Sequence, residues 1–541
     1  MRGLMQEWPL LSHKILDHAA ITHPGRSIVS RSVEGPIHRT DYRELRRRSL
    51  QLAKRLDAYG IGLGDRCATL AWNTWRHIEV WYGLGGIGAL YHTVNPRLFP
   101  DQIAWIINHA EDRLLFVDLT FVPLVEKLAP ALATIEQVIV LTDAAHMPAT
   151  SLPNAVAYED WLADADDDFT WKSFDENTAA GICYTSGTTG NPKGVAYSHR
   201  SNVLHAMMVA LPDGFAISAN QTVMPVVPMF HANCWGIAQA APLAGATLVL
   251  PGAKMDGASL HELLESEKVT FTAAVPTIWQ MLLQHLESTG GKLSHLKRVV
   301  IGGSAVPRVM IEKFQDRYGV EVVHAWGMTE MSPLGTMCSL KPEVAGLEGD
   351  ARLDIKVKQG QSQFGVEMKI TDDEGRSQPW DGRTFGRLKV RGPAIARAYY
   401  RAEGDALDEE GFFETGDVAT IDVHGYMHIT DRAKDVIKSG GEWISSIELE
   451  NLAVGHPDVA EAAVIGVRHP KWDERPLLIV VAKPGRTVDP AALIGFLEGK
   501  VAKWWLPDDV VTVDEIPHTA TGKILKAALR ERFADHRLPT A

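Results

Sequence analysis

The densest chemistry in the chain is an eleven-residue run, Tyr184-Thr185-Ser186-Gly187-Thr188-Thr189-Gly190-Asn191-Pro192-Lys193-Gly194, which follows an apolar stretch. Its glycines let successive backbone N–H groups wrap an anion, its hydroxyls donate further hydrogen bonds, and Lys193 adds a point charge. That is the chemistry of a phosphate cradle. It is not the common P-loop, whose G-x-x-x-x-G-K spacing fails where Pro192 stands in place of the second glycine. Four further segments carry reactive or ligand-binding side chains: Trp326-Gly327-Met328-Thr329-Glu330, Thr415-Gly416-Asp417, Asp431-Arg432-Ala433-Lys434-Asp435 and Pro517-His518-Thr519-Ala520-Thr521-Gly522-Lys523. Taken singly, each has an ordinary reading. Glu330 is then a solvated acid, Thr-Gly-Asp a turn, the stretch from Asp431 to Trp443 a charged linker, and Lys523 a solvated lysine.

The elements that must position these residues alternate between helical and strand periods. Thr40, Asp41 and Glu44 mark a helix start, and Gly60 closes that helix. Apolar runs at 66–72, 113–118, 137–142, 180–185, 246–251, 270–275 and 298–303 read as buried strands with helices between many of them. The pattern predicts an α/β core with largely parallel sheets. After about Ser339 short strand-like runs (VEMKIT, GRLKVR, VATID, YMHIT) are separated by Gly/Asp turns, as in a small antiparallel barrel. A compact α/β unit follows, with helices expected at 445–455, 491–504 and 524–535. The expected division is residues 1–430 and 431–541. Gly83-Leu-Gly85-Gly-Ile-Gly88 matches the dinucleotide fingerprint, but the preceding HIEVWYGLG is already helical, so these glycines are expected to serve close helix packing.

Composition removes several classes. The 541 residues carry 54 basic and 67 acidic side chains, a formal charge of −13, which excludes the basic footprint of a nucleic-acid binder. Four cysteines without a CxxC pair (Cys67, Cys183, Cys234, Cys338) make neither a disulfide framework nor a zinc cluster. Met1 to Ala20 is interrupted by Glu7, His13, Lys14 and Asp17 and is no secretory signal. The uncharged stretch from His231 to Ala253 is broken by Gln239, Pro242 and Pro251 and reads as a buried helix followed by a strand, not a membrane span. A cytoplasmic enzyme without a membrane span is expected.

In their order along the chain, the five segments resemble the signatures of the adenylate-forming superfamily: acyl-CoA synthetases, luciferases and peptide-synthetase adenylation domains. The resemblance covers nearly the whole chain. It implies a large α/β domain with a small β-barrel, a smaller mobile C-terminal lid, and a hinge at about 431–435. It also implies activation of a carboxylic acid with ATP and Mg²⁺ to an acyl-adenylate, then transfer to CoA. By resemblance ATP is held by Thr185, Ser186, Gly187, Thr188, Thr189 and Lys193 at the phosphates. Ser304, Ala325, Trp326, Gly327 and Thr329 lie near the adenine, with Trp326 stacked where the family usually has tyrosine. Asp417 takes the ribose hydroxyls, and Arg432 bonds ribose or phosphate. Thr185 and Glu330 hold magnesium. Lys523 is the adenylation lysine, Lys434 the pivot, and Lys438 and Trp443 touch nucleotide. Rotation of the lid brings Gly440, Gly441, Glu442 and Trp443 to the thioester site.

The acid is read from PMFHANCWG (228–236). His231 is placed by resemblance near the reacting carboxylate. Fatty-acyl-CoA synthetases with a similar stretch use the tryptophan equivalent to Trp235 as a gate. Ala232, Gly303, Ala325 and Met328 complete an uncharged pocket, which disfavours dicarboxylates because these segments carry no lysine or arginine. The stretch 228–236 and KSGGEWISS resemble most those of medium- to long-chain fatty-acyl-CoA synthetases and of bacterial relatives that activate 3-methylmercaptopropionate, and the expected substrate is a short or medium acid, that methylthio acid included. A long-chain fatty-acyl-CoA synthetase is the first alternative. An adenylation enzyme loading a carrier protein in trans, a luciferase-type oxidase and a non-catalytic sensor are the others. A homodimer is implied by resemblance alone.

Overall fold

The computed structural model describes every residue except 2, 186–190, 441 and 519–523, and at 442 the backbone alone. Two large sheets form the body. The nine-stranded sheet has a parallel centre, Thr222–Pro225, Thr247–Leu250, Phe271–Ala274, Arg298–Ile301 and Glu321–Gly327, extended by Ser27–Arg31. Antiparallel strands close it at both ends, Ile37–Asp41 on one side and Leu334–Met337 with Gln361–Ser362 on the other. The seven-stranded sheet is parallel through Val156–Ala157, Gln137–Val140, Leu114–Val117, Arg66–Leu70, Leu90–Thr93 and Ala179–Tyr184. Gly194–Ser198 returns antiparallel at its edge. Strands buried on both faces account for the continuous apolar runs in the sequence.

Local expectations from turn and cap chemistry are met. The helix Tyr42–Tyr59 starts where the Asp41 side chain accepts from the Glu44 N–H, and ends at Gly60 with φ 89°. The Gly83–Gly88 run is helical: it lies in Trp75–Ile87, whose C-cap is Gly88. A Cβ on Gly83 would stand 2.8 Å from Leu52, and one on Gly86 2.1 Å from Trp171. These glycines permit close packing and bind no dinucleotide loop. The stretch after His231 is a turn, a helix Ile237–Ala244 containing Pro242, and the strand Thr247–Leu250. Among the described residues no helix is long and apolar enough to cross a membrane. All four cysteines are buried and free.

The stretch expected as a small barrel is a four-stranded antiparallel meander, Glu367–Thr371, Gly386–Arg391, Phe413–Ile421 and Met427–Arg432, whose ladder runs in one path. Its last strand leads into the C-terminal unit, built on the long hairpin Val459–His469 and Asp473–Ala482 with helices Ser446–Val454, Pro490–Leu497 and Lys526–Arg532. The helix expected at 491–504 is shorter, because Gly499 takes φ 76° and a short 3-10 turn, Lys503–Trp505, follows.

Asp118, at the end of the strand Leu114–Val117, is 1% exposed and accepts from the Trp72 N–H at 2.6 Å. Burial pushes its carboxyl up to about 7. A folded value above that of the unfolded chain means that its stabilising share is complete at low pH and lost as pH rises through about 7. Asn at this position keeps an acceptor oxygen and cannot ionise. The melting temperature of wild type relative to Asp118→Asn is expected to fall between about pH 4 and pH 8; a pH-independent difference refutes the assignment.

Candidate active site

The phosphate-type loop connects the strands Ala179–Tyr184 and Gly194–Ser198, which pair antiparallel with Tyr184 opposite Gly194. Its stem is closed twice. The Thr185 N–H donates to the Lys193 carbonyl at 2.9 Å, and the Lys193 N–H donates to Thr185 Oγ1 at 3.1 Å. Below the stem Tyr184 Oη bonds His109 Nδ1 at 2.7 Å, and the Tyr400 N–H donates to the Gly194 carbonyl at 2.8 Å. A Cβ on Gly194 would stand 3.0 Å from the Tyr184 ring and 3.1 Å from the Tyr400 Cβ, so only glycine lets the backbone pass between them. Ser186, Gly187, Thr188 and Thr189 lie outside the described residues.

Facing the loop, the strand Glu321–Gly327 turns into Leu334–Met337 with Trp326 opposite Thr336. The short turn Thr329–Met331 between them carries Glu330. Glu330 is buried and its Oε1 accepts from Tyr399 Oη at 2.7 Å, while its carbonyl accepts from the Ala396 N–H at 2.7 Å. The Lys193 ammonium sits 4.7 Å from the centre of the same Tyr399 ring. Tyr197 Oη donates to the Thr329 carbonyl at 2.7 Å. Lys193, Glu330 and Thr329 are thus brought to one place from two sheets. Trp326 and Asp417 also meet: the indole N–H donates to Asp417 Oδ2 at 3.0 Å, and Arg432 Nε bonds Asp417 Oδ1 at 3.0 Å. Gly327 opposes Leu334 in the same hairpin, and Ser304 is exposed just beyond the strand Arg298–Ile301.

The pocket segment has an unusual backbone. Ala232, Asn233, Cys234 and Trp235 all take positive φ (43°, 53°, 54° and 50°), followed by Gly236 at 77°, giving one turn of left-handed helix. Each non-glycine residue there costs about 1–2 kcal/mol. The turn buries Trp235 beside the two glycines after Arg298–Ile301: a Cβ on Gly302 would stand 3.2 Å from its ring and one on Gly303 3.9 Å. Ala325 is buried at the same wall, its carbonyl 2.8 Å from the Gly302 Cβ position, and Met328 is half-buried nearby in the chain. His231 is the residue at which this turn starts, its carbonyl accepting from the Cys234 N–H at 3.2 Å. Two supports have no local signature in the sequence. Asn73 donates to the Pro225 and Val227 carbonyls and accepts from the Met229 N–H, pinning the segment before His231. His205 accepts from the Leu334 N–H at 2.9 Å, and burial holds its imidazole neutral, down to about 3.

The segment 431–435 is clamped by the C-terminal unit. The Asp431 backbone pairs with Val418 in the meander, while its carboxylate accepts from the Ser446 N–H at 2.7 Å and from Ser446 Oγ at 2.6 Å. Lys526 Nζ reaches Ser446 Oγ at 2.5 Å and Glu450 at 2.7 Å, and Arg530 pairs with Asp435 at 2.6 Å. Lys434 is exposed between these anchors. The described contacts of Lys438, Gly440 and Trp443 stay in this unit: Lys438 lies 5.9 Å over the Trp443 ring, and the Gly440 N–H donates to the Trp472 carbonyl. Gly441, the Glu442 side chain and Lys523 lie outside the described residues.

The described part of the site holds a loop stem closed between Thr185 and Lys193, a buried Glu330 bonded to Tyr399, and Trp326 bonded to Asp417. A model of the AMP-binding enzyme family matches residues 16–400, and one of the AMP-binding enzyme C-terminal domain matches 448–523. The chain belongs to the AMP-binding enzyme family. It is 49% identical over 535 residues to 3-methylmercaptopropionyl-CoA ligase of Ruegeria pomeroyi, covering 99% of each chain. It is 46% identical over 535 residues to a medium-chain-fatty-acid–CoA ligase of Ectopseudomonas oleovorans, covering 99% of this chain and 98% of that one. Among solved structures, an anthranilate CoA ligase in complex with anthranoyl-AMP superposes with a TM-score of 0.85 at 23% identity. The match covers 98% of this chain and 99% of that one and shows the same fold. As a family member the chain is an enzyme.

The left-handed turn is directly testable. Gly236→Ala puts a Cβ at φ 77° and 2.6 Å from the His205 ring, and is expected to cost about 2 kcal/mol or more. Asn233→Gly removes a left-handed penalty along with a buried amide that donates to Asn202 at 3.4 Å, and is expected to cost less than Gly236→Ala. Thermal melting distinguishes the two; equal destabilisation by both contradicts the turn.

Proposed function

We propose that this enzyme activates a short- or medium-chain carboxylic acid, 3-methylmercaptopropionate among them, and passes it to CoA. ATP-dependent ligation of an acid to CoA is the reaction class that fits the family and its full-length relatives. In the first half-reaction a carboxylate oxygen attacks the α-phosphorus of ATP and pyrophosphate leaves, giving the acyl-adenylate. In the second, the CoA sulfur attacks the acyl carbon, the thiol proton is released and AMP leaves. The charge moved in the first step is mostly on oxygens, so positioning and electrostatic stabilisation carry it. Lys193 and Lys523 supply positive charge at the phosphates and the acyl carboxylate, Trp326 an adenine platform, Asp417 an acceptor for ribose, and His231 a side chain beside the reacting acid.

Magnesium fits the donor set. Mg²⁺ takes oxygen ligands, usually one or two from protein and the rest from phosphates and water. Glu330 and the Thr185 hydroxyl offer such oxygens, and among the described residues no cluster of three or more His, Cys, Asp or Glu forms a dedicated metal cage. The ion would neutralise phosphate charge. The hinge at 431–435 between parts 1–430 and 431–541, a cytoplasmic setting and a homodimer complete the proposal.

The observation that carries the choice of acid is Trp235. Its ring is buried against Gly302 and Gly303 by the left-handed turn, and a tryptophan held there favours a shorter acid over a long acyl chain. ATP–pyrophosphate exchange followed by thioester formation, over straight-chain acids of about two to sixteen carbons and 3-methylmercaptopropionate, is the test. Exchange is expected to peak at short or medium length and to include the methylthio acid. A peak at the longest acids favours the long-chain alternative, and background exchange throughout overturns the ligase reading. A carrier protein outcompeting free CoA would favour the carrier-loading alternative.

Two substitutions separate the half-reactions. Lys523→Ala is expected to lower adenylation by about a hundredfold or more while sparing thioester formation from supplied acyl-adenylate; equal loss of both refutes its role. Lys434→Pro, which fixes one φ in the hinge, is expected to depress the thioester step more than adenylation. Equal effects on the two steps argue against the pivot.

A further inference from the structure

Trp326 presents two different surfaces. The benzo edge of the indole is pressed against the neighbouring strand, where a Cβ on Gly335 would stand 2.6 Å from Cζ3 and 2.7 Å from Cε3. This contact fixes the plane of the ring. The opposite, pyrrole edge then has one direction available, and its N–H donates to Asp417 Oδ2 at 3.0 Å. Arg432 Nε holds the other oxygen of the same carboxylate at 3.0 Å, and the Asp417 N–H donates to Thr415 Oγ1 at 3.1 Å. Asp417 is 3% exposed. One donor on each oxygen fixes rotation of the carboxylate about its terminal bond, so its acceptor directions are set before any ligand arrives. Phenylalanine has no donor at this place. Tyrosine carries its hydroxyl at the far end of the ring, not at the edge where the indole N–H lies. An adenine platform alone needs only the ring face.

We propose that Trp326 is a positioning residue for ribose recognition: its indole N–H orients the Asp417 carboxylate toward the nucleotide's ribose hydroxyls. The assignment rests on the proposed ligase function and on Asp417 as the ribose acceptor. It links two parts of nucleotide recognition through one side chain, the ring face for the base and the ring edge for the sugar. Removing the N–H while keeping an aromatic face should therefore loosen discrimination for the sugar.

The experiment is ATP–pyrophosphate exchange with the acid turned over fastest in the panel, comparing ATP with 2′,3′-dideoxy-ATP in wild type, Trp326→Phe and Trp326→Tyr. The readout is the ratio of kcat/KM for the two nucleotides. A general loss of folded enzyme lowers both values equally and leaves the ratio unchanged. In wild type the ratio is expected to favour ATP strongly. In both variants it is expected to fall about tenfold, the effect of one charge-assisted hydrogen bond, mainly through poorer use of ATP. Thermal melting confirms that the variants are folded, and Trp326→Tyr carries the test where Trp326→Phe is insoluble. A variant with lowered kcat/KM for ATP and an unchanged ratio overturns the proposal and leaves Trp326 a platform for the base. Wild-type enzyme that shows no exchange with any acid overturns the ligase reading itself, and the assignment with it.

Discussion

Two carboxylates, Glu330 and Asp417, are buried at 6% and 3% exposure where the large sheet, the loop hairpin and the antiparallel meander converge. A buried acid without partners costs several kcal/mol, so a fold that keeps two of them must bring donors to both. The donors come from far along the chain. Tyr399 reaches Glu330 from the segment after the strand Gly386–Arg391, Trp326 reaches Asp417 from the large sheet, and Arg432 reaches it from the neighbouring strand of the meander. Satisfying the two acids therefore docks the meander on the body.

That placement answers the difficulty set by net charge. A chain of −13 handling a triphosphate, a carboxylate and CoA gains nothing from long-range attraction and must set cations locally. Lys193 lies over the Tyr399 ring, whose hydroxyl bonds Glu330, so a cation and a buried anion are held by one tyrosine. Arg432 is matched to Asp417 in the same way. Lys193 and Arg432 are thus each placed near a buried acid.

The alternation of strand and helix, the cap at Asp41 and the helical glycines at 83–88 were legible because each depends on residues a few positions apart. The motif residues were legible as chemistry but not as geometry. Nothing near Trp326 in sequence announces a bond to Asp417, because the partner comes from a different sheet. Asn73 and Tyr399 are invisible for the same reason: their partners lie far along the chain, and each is a lone polar residue in an otherwise unremarkable stretch. The left-handed turn at 232–236 was hidden by its composition, since Ala, Cys and Trp rarely adopt positive φ and only packing around Trp235 imposes it.

The segment proposed as the hinge, 431–435, is held by bonds on both sides. Asp431 belongs to both units, its backbone in the meander ladder and its carboxylate on Ser446 of the C-terminal unit. Lys526 and Arg530 extend that clamp to Glu450 and Asp435 from the helix that directly follows the lysine loop. If the proposed rotation occurs at 431–435, it has to displace or break these charge-assisted bonds. Such bonds are lost stepwise and leave a buried acid short of donors while they are open. Under the proposed two-step reaction, a C-terminal part held in this way would rest in discrete orientations rather than drift between them.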